Sequence, residues 1–139
     1  MVLKPGDRKN LQQAVDDNDL ARLAELIAIH GPNVFVHPKA RNSLLHYACY
    51  AGQEERLDIV RLLIEHGARV DVRNTSEATP LHIACFNGRV DSVRTLIDTG
   101  ADVGAIDIDG LTPFDDICKS RADVFDETYA EIGDILISN

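Results

Sequence analysis

Apolar side chains recur along this chain in a spacing that is typical of amphipathic helices. Residues at positions i, i+3 and i+4 form one stripe on a helix of about 3.6 residues per turn. A first copy of the spacing occurs at Leu11, Ala14, Val15; Leu45, Ala48, Cys49; Leu81, Ala84, Cys85; and Phe114, Ile117, Cys118. A second copy occurs at Leu23, Leu26, Ile27; Val60, Leu63, Ile64; and Val93, Leu96, Ile97. The sequence therefore predicts pairs of short helices.

These helix pairs repeat at a fixed period. The segment Thr79–Cys85 recurs as Thr112–Cys118, a shift of 33, and Ser43–Cys49 precedes the central copy by 36. The Ser or Thr that opens each copy is a good N-cap, and Pro80 and Pro113 fall at the first helical position, where the fixed φ is already helical. Helices this short are marginal in isolation, so we expect stacking between copies to stabilise them.

The period of 33, the run Thr-Pro-Leu-His-Ile-Ala at 79–84 and the run Gly-Ala-Asp-Val at 100–103 resemble the ankyrin repeat. The resemblance implies an all-α ankyrin-repeat solenoid of stacked helix-turn-helix units with projecting β-hairpin loops. We expect about four repeats, of which the terminal ones are degenerate. The expected boundaries are a flexible N-terminal segment at 1–10 and one domain at 11–139, with repeats at approximately 11–37, 38–73, 74–106 and 107–139.

The hairpin turns depart from the family pattern, which usually has Gly in the turn. Arg41 and Glu77 occupy that position in two loops, and only Gly110 fits it. We therefore expect those two turns either to adopt another conformation or to accept a positive φ at a residue other than Gly.

The C-terminal end also departs from the pattern. After Cys118 the repeat register is lost. The spacing of Ile132, Ile135 and Leu136 predicts a closing helix that is displaced by about six residues, with Ser120 to Asp126 as a loop.

In the family that this sequence resembles, partners usually dock on the concave surface formed by the hairpin tips and the exposed face of each first helix. Carried over to this chain, the resemblance implies a docking surface of eleven residues. They are Lys39, Asn42, Tyr50, Arg73, Thr75, Ser76, Phe86, Asn87, Ile108, Asp109 and Leu111.

Three features on or beside this docking surface leave alternatives open. Tyr50 and Phe86 occupy equivalent positions, so they either form a paired aromatic platform for a partner or pack on each other to seal the stack. Lys39, Arg41 and Arg73 favour an acidic partner, or else form an ordinary solvated rim. Residues 107–139 carry a net charge of −7 and either attract a basic partner or form a soluble cap.

Composition and charge narrow the class of protein. The net charge of −9 disfavours nucleic acid, whose phosphates require Lys and Arg. No apolar run approaches the ~18 residues that span a bilayer, and the N-terminus lacks the apolar core of a signal peptide. Three cysteines, an odd number, do not resemble the paired framework of a small secreted protein. We therefore expect a cytoplasmic or nuclear protein, without a membrane partner.

The residues that could carry chemistry have simpler explanations. His46, Cys49, His82 and Cys85 are the residue types of a zinc site, but adjacent stacked helices lie about 8–10 Å apart, much farther than zinc bonds reach. We expect each His to hydrogen-bond the neighbouring loop, and all three cysteines to be buried, reduced core residues. Asp107 to Gly110 is better explained as a hairpin turn than as a calcium loop. No catalytic motif is present, so we expect neither an enzyme nor a bound cofactor or metal.

The leading hypothesis is a monomeric protein–protein interaction module, either an adaptor, a scaffold or an inhibitor, that binds a protein on its concave face. One alternative is a self-associating structural protein, in which the weak first repeat leaves Leu11, Val15 and Leu20 partly uncovered. Another is a metal or redox sensor that uses the aligned cysteines.

Overall fold

The helices follow one another along the chain as the repeat predicts. The computed structural model describes residues 3–52, 54–120 and 127–139. In these residues it contains eight α-helices and one two-stranded sheet, and none of the helices reaches the length and apolarity that a bilayer-spanning helix needs. The elements are α1 Pro5–Asp16, α2 Leu20–His30, β1 Phe35–His37, β2 Asn42–Ser43, α3 Leu44–Tyr50, α4 Leu57–Glu65, α5 Pro80–Phe86, α6 Val90–Asp98, α7 Pro113–Ser120 and α8 Glu127–Ile137.

The helices form two parallel rows. The first helices of the pairs, α1, α3, α5 and α7, each contact the next one along the row. The second helices, α2, α4, α6 and α8, form the other row in the same way, and the two helices of each pair also contact each other. This arrangement confirms the predicted all-α solenoid of stacked helix pairs.

The apolar stripes form one continuous core along the stack. Burial of these side chains removes apolar surface from water, which stabilises each pair against its neighbours. The buried members of the predicted stripes are Leu11, Ala14, Val15, Leu23, Ile27, Leu45, Ala48, Cys49, Val60, Leu63, Leu81, Ala84, Cys85, Val93, Leu96 and Ile117.

Helix α7, the first helix of the last pair, breaks this pattern. Phe114 is 40% exposed and Cys118 is also exposed, so the prediction that all three cysteines are buried is wrong for Cys118. Both residues line an open apolar groove between α7 and α8. The reason is their position: α7 ends its row, and within the described residues no further helix of that row covers its outer side.

The N-terminus differs from the prediction of a flexible segment at 1–10. Helix α1 begins at Pro5, which occupies the first helical position, and the side chain of Asp7 accepts a hydrogen bond from the backbone N–H of Lys4. Pro at the start and a carboxylate in the first turn both favour helix initiation. Residues 5–10 are therefore helical, and the helix buries Leu11 and Val15 fully, contrary to the expectation that they are partly uncovered.

The C-terminal helix confirms the predicted closure of the stack. Helix α8 contains Ile132, Ile135 and Leu136, of which Ile132 and Leu136 are buried, and it contacts α6 and α7. Of the predicted loop at 120–126, Ser120 is instead the last residue of α7, and 121–126 lie outside the described residues.

Candidate protein-binding surface

Three loops project between the helix pairs, and the second and third are built alike. In the first, β1 pairs with β2 in an antiparallel hairpin. The second and third are closed by equivalent backbone bonds, from the N–H of Asn74 to the oxygen of Ala78 (3.1 Å) and from the N–H of Asp107 to the oxygen of Leu111 (2.9 Å). In both loops the side-chain oxygen of the first residue also accepts two backbone N–H bonds from within the loop. An Asn or Asp side chain therefore shapes each of these two turns.

The turn residues settle the conformational alternative that the sequence leaves open. Arg41 and Glu77 have φ values of 54° and 57°, close to the 77° of Gly110. Both turns thus accept a positive φ at a residue other than Gly. The guanidinium of Arg41 lies over the ring of Phe35, 5.1 Å from its centroid, and this contact helps to hold the first turn.

Backbone hydrogen bonds join each loop to the next. The N–H of Thr75 donates to the oxygen of Ala40 (2.9 Å), and the N–H of Ile108 donates to the oxygen of Ser76 (2.9 Å). The guanidinium of Arg73 also donates to the backbone oxygen of Ile106 (2.6 Å). The three loop tips are therefore joined by hydrogen bonds into one edge, here called the cross-linked edge, rather than forming three independent loops.

Two buried histidines fix the loops to the helices, as predicted from their place in the repeat. The Nε2 of His46 lies 2.8 Å from the oxygen of Ala78, and the Nε2 of His82 lies 3.0 Å from the oxygen of Leu111. In both rings Nδ1 accepts the backbone N–H of the N-cap residue, so Nε2 carries the proton and donates it. Burial lowers the pKa of His46, which keeps the imidazole neutral in this role.

Most of the predicted docking surface is accessible. Asn42, Tyr50 and Leu111 are half-buried, and Asn42 accepts a hydrogen bond from the side chain of Asn74. The other eight are exposed: Lys39, Arg73, Thr75, Ser76, Phe86, Asn87, Ile108 and Asp109.

The aromatic residues of this surface are arranged differently from either alternative. Among the ring contacts of the described residues, none joins Tyr50 to Phe86. Tyr50 instead meets Tyr47 edge to face at 5.2 Å and stacks on His37 at 6.4 Å. The hydroxyl of Tyr47 donates to the carboxylate of Asp16 (2.6 Å). Tyr47 and Asp16 were not expected here, although Tyr47 lies one helical turn before Tyr50 and so shares its face.

The two buried cysteines, Cys49 and Cys85, are poor candidates for metal or redox chemistry. Burial raises the pKa of the Cys49 thiol to about 12, and it also raises the pKa of the Cys85 thiol. Reactive and metal-binding cysteines require the thiolate, which a raised pKa disfavours.

A different group of metal-ligand residue types does come together in the structure. The side chains of His82, Asp107 and Asp116 offer ligand atoms within 4.8 Å of one another. However, both ring nitrogens of His82 are already engaged, Nδ1 by Thr79 and Nε2 by Leu111. The set therefore does not fit a metal ion, and the imidazole serves the loop instead.

Comparison with known proteins identifies the family. The family model of ankyrin repeats (3 copies) matches residues 11–107. This chain belongs to the ankyrin-repeat family, a class of repeat that mediates protein–protein interactions.

Several curated proteins are similar to it. Protein phosphatase 1 regulatory subunit 27 of Homo sapiens is 37% identical over 97 residues, which cover 70% of this chain and 55% of that protein. The Mus musculus protein of the same name is 41% identical over 80 residues, which cover 58% and 49%. Ankyrin repeat domain-containing protein 49 of Bos taurus is 46% identical over 60 residues, which cover 42% and 25%. This chain thus spans about half the length of the two phosphatase subunits.

Proposed function

We propose that this protein is a binding module, acting as an adaptor, scaffold or inhibitor, that holds a partner protein on the docking surface of its loops and first helices. It catalyses no reaction and acts in the cytoplasm. The observation that carries the proposal is the cross-linked edge, in which Thr75 bonds Ala40 and Ile108 bonds Ser76. Because these loops are already ordered by one another, little conformational entropy is lost when a partner docks.

Exposed apolar side chains on α5 and on the third loop support the same proposal. Phe86 is 47% exposed on α5, and Ile106 and Ile108 are 54% and 68% exposed on the third loop. Large apolar side chains that remain in water are typical of contact sites when they are grouped, as Ile106 and Ile108 are on one loop. Their burial under a partner supplies the affinity that polar rim residues do not.

The phosphatase subunits named above suggest a first partner to test. Purified protein phosphatase 1 catalytic subunit is titrated with this protein by isothermal calorimetry, and we expect saturable binding. The double variant Tyr50→Ala with Phe86→Ala removes two half-exposed rings from the docking surface and weakens binding at least about tenfold. Ile29→Ser is the matched control, because Ile29 is 65% exposed on α2, in the other row of helices.

Two outcomes contradict parts of this proposal. Undiminished binding by the folded double variant excludes the docking surface as the contact site. An absence of binding excludes the phosphatase catalytic subunit as the partner. Titration of other proteins then tests whether this protein is a binding module.

We propose that the protein is a monomer, because the apolar side chains that the self-association hypothesis requires to be uncovered are mostly buried. Leu11 and Val15 are fully buried, and only Leu20, at 37%, is exposed. Sedimentation across a concentration series checks this, since a constant mass is expected. A mass that rises with concentration restores the alternative.

A further inference from the structure

Negative charge is concentrated at the third loop and the helix that follows it. Residues 101–120 contain five carboxylates, Asp102, Asp107, Asp109, Asp115 and Asp116, and one cation, Lys119. None of the five takes part in an ion pair within the described residues. The formal net charge of this segment is −4, five acids against one base, of which Asp116 is buried, and no ion pair within the described residues offsets this charge.

Apolar side chains lie beside this charge. Ile106 and Ile108 flank Asp107, both are more than half exposed, and Asp109 is exposed at the tip of the same loop. The carboxylate of Asp109 accepts no hydrogen bond from any described residue, although its backbone N–H donates to Asp107. A partner that covers the isoleucines must therefore also meet a free carboxylate.

The cations on and beside the docking surface are mostly engaged in contacts. Arg73 donates to the backbone oxygens of Glu77 and Ile106 and lies 4.0 Å from the carboxylate of Glu77. Arg41 lies over Phe35. These contacts leave Lys39 as the exposed cation without a described partner, so the surface offers an acidic partner little to pair with.

We propose that the segment held by this protein is cationic and apolar, and that it docks over Phe86, Ile106, Ile108 and Asp109, with its Lys or Arg side chains against the carboxylates of the third loop. This inference rests on the proposed function and names the chemistry of the partner. Apolar contact supplies the burial, and charge complementarity selects among partners and speeds their association.

Of the two acids on α7, one adds to the negative surface and the other does not. Asp116 is buried, and burial raises its pKa and so disfavours its charged form; repulsion from Asp107 and Asp115 adds to that shift. Hydrogen bonds from Thr112 lower the pKa of Asp115, so that this carboxylate stays charged. A docked cation relieves the repulsion among these groups.

Three synthetic peptides of equal length test the inference directly. Each carries the same pair of leucines, flanked by Lys in the first peptide, by Glu in the second and by Ser in the third. Binding to the full chain is followed by fluorescence anisotropy. We expect the Lys peptide to bind tightest, and raising the salt from about 50 mM to about 500 mM to weaken it several-fold, because exposed charges are screened.

Matched variants locate the site. Asp109→Lys is expected to weaken the Lys peptide about tenfold, and Ile108→Ser about fivefold. Glu65→Lys is the control, because it makes the same charge change at an exposed position on α4, in the other row of helices. Its effect should stay within about twofold. Circular dichroism confirms that each variant is folded.

Three results overturn the inference. Tighter binding of the Glu peptide would mean that the partner segment is anionic rather than cationic, and would leave the proposed function intact. Equal weakening by Asp109→Lys and Glu65→Lys shows attraction by net charge rather than by this site. No binding by any peptide excludes a short cationic segment as the ligand, and the phosphatase titration then decides the proposed function separately.

Discussion

A single buried imidazole holds two adjacent repeats together. His46 is fully buried, accepts the backbone N–H of Ser43 and donates to Ala78. His46→Ala leaves a buried N–H and a carbonyl without partners and opens a cavity, so we expect a loss of about 2–4 kcal/mol in the free energy of unfolding. Urea unfolding measures it. His66→Ala is the control: His66 is exposed at the end of α4, and a change above about 0.5 kcal/mol there would undermine this explanation.

The same residue makes stability depend on pH. Burial lowers the pKa of His46 in the folded state below its ordinary 6.5, so the unfolded chain binds more protons as the pH falls. This contribution to stability is complete above pH 6.5 and is lost progressively below it. We expect the difference between the urea midpoints of wild type and His46→Ala to shrink from about pH 7.5 to about pH 5. A constant difference would show that His46 is not the group responsible.

At the scale of the loops, the conformation of the turn decides which residue is favourable. Glu77 has a φ of 57°, which costs a residue with a Cβ about 1–2 kcal/mol, whereas Gly adopts it freely but loses about 0.5–1 kcal/mol in chain entropy. We therefore expect Glu77→Gly to stabilise the fold by roughly 0.5 kcal/mol. Gly110→Ala is the reciprocal test in the third loop.

For Gly110→Ala we expect a loss of about 1 kcal/mol. A Cβ at Gly110 meets no atom within 4 Å, so any loss reports the backbone conformation alone. Thermal unfolding measures both variants. Changes of the same sign in the two loops would contradict the conformational explanation.

The sequence predicts these elements where local chemistry determines them. Pro80 and Pro113 start their helices as expected, and the repeat position of His82 correctly predicts its bond to the next loop. The start of α1 at Pro5 was missed because it precedes the repeat pattern. The exposure of Cys118 was missed because the spacing of a stripe does not reveal whether a neighbouring helix covers it.

The candidate site was predictable only in part, for a similar reason. Repeat register predicts positions of the docking surface, such as Phe86 and Ile108, and both are exposed. It does not identify which side chains meet across repeats. The contact of Tyr47 with Asp16 joins residues from α3 and α1, and depends on the spacing between stacked helices rather than on any local motif.

At the scale of the whole molecule, each helix pair contacts only its neighbours. Leu81 is fully buried in α5, which has α3 on one side and α7 on the other. Ile132 is equally buried in α8, which contacts α6 and α7 at the end of the stack. In such a linear array, stability is approximately a sum of repeat and interface terms. The position of a residue along the stack should therefore decide how far the effect of its removal spreads.

Amide hydrogen exchange distinguishes a substitution in a central helix pair from one at the end of the stack. Each substitution, Leu81→Ala or Ile132→Ala, removes about 2–5 kcal/mol of local packing. Leu81→Ala should reduce amide protection from α3 through α7, because both interfaces of the central pair lose contacts. Ile132→Ala should reduce it mainly in α7 and α8, since the remaining pairs still stack on one another. A uniform loss across all helices in Ile132→Ala would instead mean that the array unfolds as one cooperative unit, in which the end repeat is indispensable to the loops that form the docking surface.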